Sequence, residues 1–309
     1  MNFKYKCLLQ SLFSKMPRGE IINYGFQKYV TRSLPISDNF FLDVVNKAYN
    51  HYEKFQKYNS LKKNNQKYYE FGAGWDLITP IAMSLLGFEV TCIDIRRLIF
   101  NHLISDTLVK FNKNRKDLPF SIDSLNFKEE QHSLDYLKEA FNFSYQAPLD
   151  ARNTGFNSDY FDFASSTVTM EHIPKQDIYL ILKEAHRILK QGGILSMRID
   201  YNDHWSYFDK RISAYNFLQY SEKEWKKYNP SLHYQNRLRH KDYLDIISKT
   251  DFEIVEEIPF LPLDSDIKTL KNLNIDKAYK NYSIEELGVK GSGIVLRKSK
   301  TVDTKSDKI

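Results

Sequence analysis

The sequence has few cysteines. Only Cys7 and Cys92 are cysteine among its 309 residues, and they lie far apart in the chain. Two such residues can form neither a disulfide framework nor a cysteine-rich zinc site, and we assign no metal ligands from the sequence. This cysteine usage suits a reducing compartment, so we expect a cytoplasmic protein.

The sequence also lacks a long apolar run. No segment approaches the roughly 20 apolar residues that a membrane-spanning helix needs. Residues 1–16 lack the apolar core and the small-residue cleavage site of a signal peptide. We therefore expect neither a membrane span nor a leader sequence.

Clustered positive charge is missing as well. The formal net charge is +6, but the lysines are scattered along the chain. Scattered lysines are typical of a solvated surface, so we do not expect nucleic acid as a partner, although a preference for anionic substrates stays open. Nothing in this pattern indicates an oligomeric state.

Apolar residues are present in sufficient number for a buried core. They make up 42% of the chain, and aromatic residues make up 15%. From residue 67 strand-like and helix-like segments alternate, which predicts an α/β fold with a doubly wound, mostly parallel sheet of seven strands. The sequence shows no obvious crossover helix between the last two strands, so we expect the last strand to be antiparallel. The predicted strands are 68–71, 90–93, a short third strand ending at or just before 149–151, 160–167, 194–199, 252–258 and 293–297.

The pattern divides the chain into unequal parts. Ser37 and Asp38 indicate a helix start, followed by apolar residues at helical spacing, so we predict an N-terminal helical extension over 1–66. The α/β domain spans 67–298, with an irregular insertion at 200–236. We expect a polar, disordered tail over 299–309. Within the α/β domain we predict helices at 77–86, 175–190 and 240–250.

A glycine bend follows the first predicted strand. Glu70 precedes Gly72, Ala73 and Gly74, and a helix-like run comes next. Such a turn lets a ligand lie against bare backbone while N–H groups of the helix end point at it. Asp94 ends the second strand roughly twenty residues later, where a carboxylate can accept hydrogen bonds from ribose hydroxyls. The pattern therefore predicts a ligand built on a nucleoside.

The residues around the bend discriminate between nucleosides. A nicotinamide-binding bend has a third glycine three residues after the second, where this chain has Leu77. The Gly-Lys-Ser/Thr of a phosphate-binding loop is absent. Glu70 would repel a pyrophosphate but suits a ligand with positive charge, such as the ammonium and sulfonium of S-adenosylmethionine.

Five segments in order extend this pattern. They are the acid and glycine bend (Glu70, Gly72, Gly74), the acid after strand two (Asp94), an acid and a small residue after strand three (Asp150, Ala151), the loop 169–174 and the turn 188–193. Together they resemble the class I S-adenosylmethionine-dependent methyltransferases over about residues 67–200, with weaker support to 297. The resemblance implies a Rossmann-like fold, a methyltransferase domain over 67–298 and S-adenosylmethionine as cofactor.

The same resemblance implies which residues bind the cofactor. They are Glu70, Gly72, Ala73, Gly74, Asp94, Ile95, Asp150, Ala151 and Thr167. One departure is Asp76, which stands where many family members have a third glycine, next to the bulky Trp75. We expect either a more tightly packed loop or a helix capped by Asp76.

Methyl transfer is an in-line displacement, and its acceptor should meet the cofactor beyond the carboxyl ends of the strands. A hydroxyl acceptor also needs a base. His204 is the first candidate for this base because neighbouring carboxylates could orient it, and His172 after strand four is the second. Asp200 and Asp203 are weaker candidates. Each of the four could instead be an ordinary loop residue.

The insertion at 200–236 is rich in aromatic residues. It could form an acceptor pocket or lid, since aromatic faces bind sugar rings, or it could be a hydrophobic insert packed on the core. Arg237 and Arg239 could hold a phosphate or carboxylate, or they could be solvated charges at a helix start.

The resulting hypothesis is S-adenosylmethionine-dependent methyl transfer to a small molecule, by O-methylation of a sugar or surface-polysaccharide precursor. Two alternatives stay open: methylation of a protein or RNA, and a regulatory protein that binds the cofactor without catalysis. A nicotinamide enzyme is disfavoured by Leu77 and Glu70.

Overall fold

The computed structural model describes residues 2–16, 19–25, 28, 34–60, 65–122 and 133–299. The tail predicted at 299–309 lies outside the described residues except for Ser299. Among the described helices, none is both long and apolar enough to cross a bilayer.

Seven strands form a single sheet. They are β1 Lys67–Phe71, β2 Glu89–Ile93, β3 Phe143–Gln146, β4 Phe161–Thr167, β5 Leu189–Asp200, β6 Phe252–Pro259 and β7 Gly291–Lys298. Their order is β3-β2-β1-β4-β5-β7-β6. Strands β1 to β5 pair in parallel, and β7 lies antiparallel between β5 and β6. The predicted Rossmann-like, mostly parallel sheet with an antiparallel last strand is therefore confirmed.

Helices cover both faces of this sheet. One apolar layer joins the sheet to α3 (Asp38–Tyr58), α4 (Ile78–Leu85), α5 (Asn101–Lys113) and α6 (Leu134–Phe141). The opposite layer joins it to α7 (Lys175–Ile188) and α9 (His240–Ile247). The α-helices of the described residues are α1 Phe3–Phe13, α2 Gly19–Gly25, α3 Asp38–Tyr58, α4 Ile78–Leu85, α5 Asn101–Lys113, α6 Leu134–Phe141, α7 Lys175–Ile188, α8 Glu222–Trp225, α9 His240–Ile247, α10 Asp264–Lys271 and α11 Ile284–Gly288.

Helix α3 begins where the sequence predicts a helix start. The hydroxyl of Ser37, the N-cap residue, accepts a hydrogen bond from the N–H of Phe40 at 3.3 Å. The buried face of α3 then packs on the sheet, because its apolar residues recur at helical spacing. These buried apolar residues are Phe41, Val45, Ala48 and Phe55.

The junction between α7 and β5 differs from the prediction. The sequence predicted a helix over 175–190 and a strand over 194–199. Helix α7 instead ends at Ile188, and Leu189 is already extended and pairs with Phe161. The prediction was wrong because a helix-like apolar spacing continues to Leu189, although that side chain belongs to the sheet.

Gly192 and Gly193, which follow the helix predicted over 175–190, lie within β5. Ile194 faces Phe163, so the register jumps and residues 190–193 bulge from the ladder. Gly192 has a φ of 79°, in the left-handed region that glycine adopts without a steric penalty. The pair therefore forms an irregularity inside a strand.

The insertion at 200–236 is built from short helical turns around a third apolar cluster. Helix α1 contributes Phe3 and Cys7 to this cluster. The N–H of Phe3 also donates to Oδ2 of Asp209 at 2.9 Å. Helix α1 thus packs on the insertion, whereas α3 packs on the sheet. The buried aromatic residues that the insertion contributes to this cluster are Trp205, Tyr215, Phe217 and Trp225.

Candidate functional site

The glycine bend lies at the carboxyl end of β1, next to the end of β2. The N–H of Gly72 donates to the carbonyl of Ile93 at 3.0 Å. Gly72 and Gly74 both have a φ of 77°, and Ala73 between them is buried. A Cβ on Gly72 would lie 2.4 Å from a side-chain carbon of Thr169, whereas a Cβ on Gly74 would meet nothing within 4 Å. The bend therefore packs on the loop after β4 at Gly72 and faces free space at Gly74.

Asp94 follows β2 directly beside this bend. Its side chain is buried, and the N–H groups of Arg96 and Gly74 face its carboxylate. Burial raises the pKa of Asp94, and these N–H groups offset only part of the rise. Ile95, the next residue, is 59% exposed. A buried acid and an exposed apolar side chain thus border the free space at Gly74.

The segment after β3 reaches the same edge of the sheet. The N–H of Leu149 donates to the carbonyl of Asp94 at 2.9 Å, so 149–151 lie just beyond the third strand, as expected. The carboxylate of Asp150 is held by Arg152, whose Nη2 lies 2.6 Å from Oδ2, and this contact lowers the pKa of Asp150. Ala151 is half-buried. The backbone next to Asp150 thus contacts the backbone of Asp94, but the carboxylate of Asp150 is already paired with Arg152.

Glu70 and Thr167 lie on the strands themselves. Glu70 is buried, and Tyr68 donates its hydroxyl to Oε2 of Glu70 at 2.9 Å. Burial raises the pKa of Glu70 to about 8, although the hydrogen bond from Tyr68 acts to lower it. Oγ1 of Thr167 lies 3.2 Å from Nε2 of His51 on α3. Both residues therefore lie on strands, on the face of the sheet that packs against α3, and not on a loop.

His204 and Asp200 meet at the carboxyl end of β5. Nε2 of His204 lies 3.3 Å from Oδ2 of Asp200. Asp200 also accepts hydrogen bonds from the N–H of Asn202 at 2.9 Å and from the hydroxyl of Tyr207. Burial acts to raise the pKa of Asp200, but His204, Tyr207 and Asn202 together lower it. The expected contact between His204 and a carboxylate is present, and the catalytic role of both residues stays a prediction.

The turn after β4 faces His204. Glu171 and His172 belong to a short helical turn, and Oε1 of Glu171 lies 4.0 Å from Nε2 of His204. The rings of His172 and His204 are 4.9 Å apart, centroid to centroid. Nδ1 of His172 lies 2.7 Å from the carbonyl oxygen of Tyr234. We call Glu171, His172, Asp200 and His204 the histidine–carboxylate cluster.

Comparison with known proteins identifies the domain around these two sites. Residues 69–197 match the family model described as a methyltransferase domain. The chain carries an S-adenosylmethionine-dependent methyltransferase domain. The matched segment begins in β1, before the glycine bend, and ends in β5. No curated protein matches the chain.

Solved structures of similar fold include other methyltransferases. A Methanosarcina mazei S-adenosylmethionine-dependent methyltransferase is 15% identical, with a TM-score of 0.42, and the match covers 80% of this chain and 97% of that one. Phosphoethanolamine N-methyltransferase 2 of Haemonchus contortus is 14% identical, with a TM-score of 0.46, and the match covers 89% of this chain and 59% of that one. Geranyl diphosphate C-methyltransferase of Streptomyces coelicolor is 9% identical, with a TM-score of 0.43, and the match covers 80% of this chain and 76% of that one. At this level of similarity the acceptors of those enzymes say nothing about the acceptor here.

The residues around the bend of this methyltransferase fit its cofactor, S-adenosylmethionine. The backbone at Gly74 leaves room for a ligand to approach. Asp94 offers carboxylate oxygens for hydroxyl groups, and exposed Ile95 offers an apolar surface to a base. Glu70 offers a buried carboxyl group to a cationic ligand.

From the sequence we expected either a tightly packed loop at Trp75 or a helix capped by Asp76, and the structure of the methyltransferase bears on both. The ring of Trp75 stacks on Phe100 with an interplanar angle of 6°, so the loop is tightly packed. Leu77, with a φ of 56°, occupies the N-cap position of α4 and makes no side-chain cap. The N–H of Ile78 instead faces the carboxyl group of Asp76.

Glu171 was not identified from the sequence as a candidate site residue of the methyltransferase. It was quoted only as part of the loop 169–174, yet it is 1% exposed and belongs to the cluster. An acid directly before a histidine at a strand end was the available signal. His233 was also missed: its ring lies 6.2 Å from that of His204, in a segment without periodicity that gave no signal.

Both readings of Arg237 and Arg239 were wrong. Both side chains are buried, so neither is a solvated charge. Arg239 donates to the carbonyls of Tyr201, Leu287 and Val289. Arg237 donates to two carbonyls of the insertion and pairs with Glu222 at 2.6 Å. These guanidinium groups hold backbone carbonyls together, which leaves them unsuited to bind an acceptor.

Asp203 also has internal partners. Its carboxylate accepts hydrogen bonds from the N–H of Trp205 at 2.9 Å and from Nδ2 of Asn216 at 2.8 Å. These contacts cap the turn that carries His204. Five of the ten Tyr, Phe and Trp residues of the insertion are buried, whereas Tyr207 and Phe208 are exposed.

Proposed function

We propose that this methyltransferase transfers the methyl group to an oxygen atom of a small molecule, a sugar or surface-polysaccharide precursor. The contact of 3.3 Å between His204 and Asp200 is the observation that supports this best. A histidine beside a carboxylate is a suitable base for a hydroxyl group, because the carboxylate stabilises the imidazolium that forms.

The proposed chemistry divides between cofactor and protein. S-adenosylmethionine supplies a methyl group that is activated by its sulfonium. Nε2 of His204 takes the hydroxyl proton, Asp200 stabilises the resulting charge, and His172 positions the acceptor. Because methyl transfer needs an aligned nucleophile and a dry site, the main task of the surrounding residues is orientation.

The cofactor residues have proposed roles as well. The bend 72–74 passes along the ligand, Glu70 faces its positive charge, and Asp94 holds the ribose hydroxyls. Ile95, Asp150 and Ala151 border the adenine, and Thr167 completes the wall at β4. The proposed domain bounds are 67–298, with the helical extension at 1–66 and the acceptor-side insertion at 200–236.

A small acceptor is favoured over RNA. The cluster carries the carboxylate of Asp200, whose pKa is lowered by its hydrogen-bond partners and which would repel phosphates. Tyr207 is 49% exposed, its ring lies 5.3 Å from that of His204, and an aromatic face of this kind suits a sugar ring. Both free cysteines are buried, in keeping with the cytoplasmic location that we propose.

The test measures transfer of labelled methyl groups from S-adenosylmethionine to nucleotide sugars and free sugars. We expect His204→Ala to lower kcat by about 10²–10⁴-fold, the usual contribution of a general base. Cofactor affinity, measured by calorimetry, should stay nearly unchanged. His240→Ala is the matched control, because Nε2 of His240 also lies near a carboxylate, 2.7 Å from Glu257, but far along the chain from the cluster.

Each other outcome has a distinct meaning. Full turnover in His204→Ala would exclude His204 as the base. Transfer to RNA, protein or an amine would replace the proposed acceptor class. Cofactor binding without transfer to any acceptor would favour a regulatory protein.

A further inference from the structure

The histidine–carboxylate cluster has the geometry of a metal site. Glu171, His172 and His204 each offer one ligand atom, and these three atoms all lie within 4.8 Å of one another. The ligands come from two turns, one after β4 and one after β5. Since these strands are adjacent and parallel, their carboxyl ends hold the two turns side by side.

Two of the three ligand residues, Glu171 and His204, are buried and have ligand atoms without a hydrogen-bond partner in the part of the chain that the structure describes. Glu171 is 1% exposed, and neither of its carboxylate oxygens accepts a well-formed hydrogen bond from the described residues. Nε2 of His204 is likewise buried without such a bond. Buried carboxylates are normally paired with donors or coordinate metal ions, so this arrangement calls for a cation.

The orientation of His172 also suits ligation. Its Nδ1 lies 2.7 Å from the carbonyl oxygen of Tyr234, and only an N–H at Nδ1 can donate to that oxygen. This contact assigns the proton to Nδ1 and leaves the lone pair on Nε2. A metal-binding histidine commonly donates its other ring N–H to a backbone carbonyl in this way.

We propose that Glu171, His172 and His204 bind one divalent transition-metal cation. Two neutral imidazoles and a carboxylate are typical ligands of Zn²⁺, Mn²⁺, Fe²⁺ or Co²⁺, whereas Mg²⁺ and Ca²⁺ prefer oxygen atoms throughout. Asp200, 3.3 Å from Nε2 of His204, adds a second carboxylate to the site. Three protein ligands leave a coordination position for an oxygen atom of another molecule.

The cation also bears on the reaction. With the cation bound, Nε2 of His204 would be a ligand and could not also be the base. If the acceptor hydroxyl occupied the remaining position, the cation would lower the pKa of that hydroxyl, and the neighbouring carboxylate of Asp200 would accept its proton. This consequence rests on the proposed function, whereas metal binding itself does not.

The test is metal titration of the full chain without an affinity tag, after removal of metal with a chelator. Zn²⁺, Mn²⁺ and Mg²⁺ are titrated by calorimetry, and the absorption spectrum of added Co²⁺ reports the ligand set. We expect one Zn²⁺ per chain and much weaker binding of Mg²⁺. Glu171→Gln and His172→Asn should weaken Zn²⁺ binding by more than about 100-fold, because loss of an outer partner alone costs about 10–100-fold. His240→Asn is the control and should bind as the unaltered protein does.

The proposal is overturned if none of the transition metals binds saturably, or if both ligand variants bind like the control. Circular dichroism and S-adenosylmethionine titration check that the variants fold. If Glu171→Gln fails to fold, the Zn²⁺ affinity of His172→Asn, a change at an exposed residue, and the Co²⁺ spectrum of the unaltered protein still test the proposal. Metal binding without sugar methylation would refute the acceptor class alone, and methylation that survives the chelator would refute the metal's role in the reaction.

Discussion

At the scale of single residues, Gly74 and Gly87 share a left-handed backbone but differ in location. Their φ angles are 77° and 94°, and a Cβ on either residue would meet no atom within 4 Å. Gly74 lies in the bend, and Gly87 follows α4. Any difference between alanine variants at these positions therefore reports on a ligand rather than on strain.

We expect Gly74→Ala and Gly87→Ala to lose a similar free energy of unfolding, about 1–2 kcal/mol, because alanine resists a left-handed backbone. Only Gly74→Ala should also lose affinity for S-adenosylmethionine. Urea unfolding and calorimetric titration measure the two effects. Equal cofactor affinity in both variants would remove Gly74 from the cofactor site.

Glu70 provides a second residue-scale prediction, through proton release. With a pKa of about 8, its carboxyl group is about nine-tenths protonated at pH 7. A bound cationic ligand favours the carboxylate and lowers this pKa, so binding should release close to one proton and affinity should rise with pH up to about 8.

Calorimetry of S-adenosylmethionine binding at pH 7, in two buffers with different ionisation enthalpies, measures this proton release. The apparent binding enthalpies should differ between the buffers for the unaltered protein and agree for Glu70→Gln. Glu89→Gln, at the opposite end of the neighbouring strand β2, should behave like the unaltered protein. Buffer-independent enthalpies throughout would mean that Glu70 does not face the cofactor's charge.

The proximity of the candidate cofactor residues was largely predictable from the sequence, and that of the candidate acceptor-site residues was predictable only in part. The bend and Asp94 are close in sequence to adjacent strand ends, so local pattern and parallel topology suffice to bring them together. His204 and Asp200 are four residues apart. Glu171 joins them only through the pairing of β4 with β5, and the partners of Arg239 are 38 to 50 positions away. Such distant contacts leave no local pattern in the sequence.

At the scale of elements, the errors occurred where two local signals compete. Leu189 continues the apolar spacing of α7 but pairs with Phe161 in the sheet, and Gly192 is as typical of a bulge as of a helix end. Tertiary pairing decides between these outcomes. The other predicted strands and helices occur in the predicted order, but α10 and α11, which lie between β6 and β7 where no helix was expected, were not predicted.

Helix α1 makes a testable contribution at this scale. Phe3 is 4% exposed and packs against Trp205 and Tyr228 at centroid distances of 6.2 and 5.5 Å. Phe3→Ala should destabilise the insertion by up to about 3–5 kcal/mol, the usual cost of deleting a buried phenylalanine side chain. Hydrogen exchange should become faster in 203–228, with cofactor affinity nearly unchanged.

Tyr5→Ala is the control for this prediction, because Tyr5 lies on the same helix and is 68% exposed. Its effect should stay within about 0.5 kcal/mol. Unchanged exchange in Phe3→Ala would show that the insertion does not depend on α1. A large loss of cofactor affinity in Phe3→Ala would instead show that α1 also stabilises the glycine bend.

At the scale of the whole molecule, His51 joins α3 to the centre of the sheet. The side chain is buried, with Nδ1 2.7 Å from Oγ of Ser196 and Nε2 3.2 Å from Oγ1 of Thr167. Burial, with a smaller effect of Arg198, lowers the pKa of His51 to about 3. The folded protein therefore holds a neutral histidine between two hydroxyl groups, linking the helical extension to β4 and β5.

This burial predicts a specific loss of stability in acid. An unfolded histidine has a pKa of about 6.5, so below that pH the unfolded chain binds a proton that the folded chain does not. The contribution of His51 is complete above pH 6.5 and falls by about 1.4 kcal/mol per pH unit as the pH drops toward 3. The difference in unfolding free energy between the unaltered protein and His51→Gln should shrink accordingly between pH 6.5 and 5, as measured by urea unfolding. Thr107→Val, which removes a buried hydrogen bond of 2.9 Å without a titrating group, should give a constant difference. A constant difference for His51→Gln would mean that His51 is protonated in the folded protein, and the neutral link between α3 and the sheet would then be wrong.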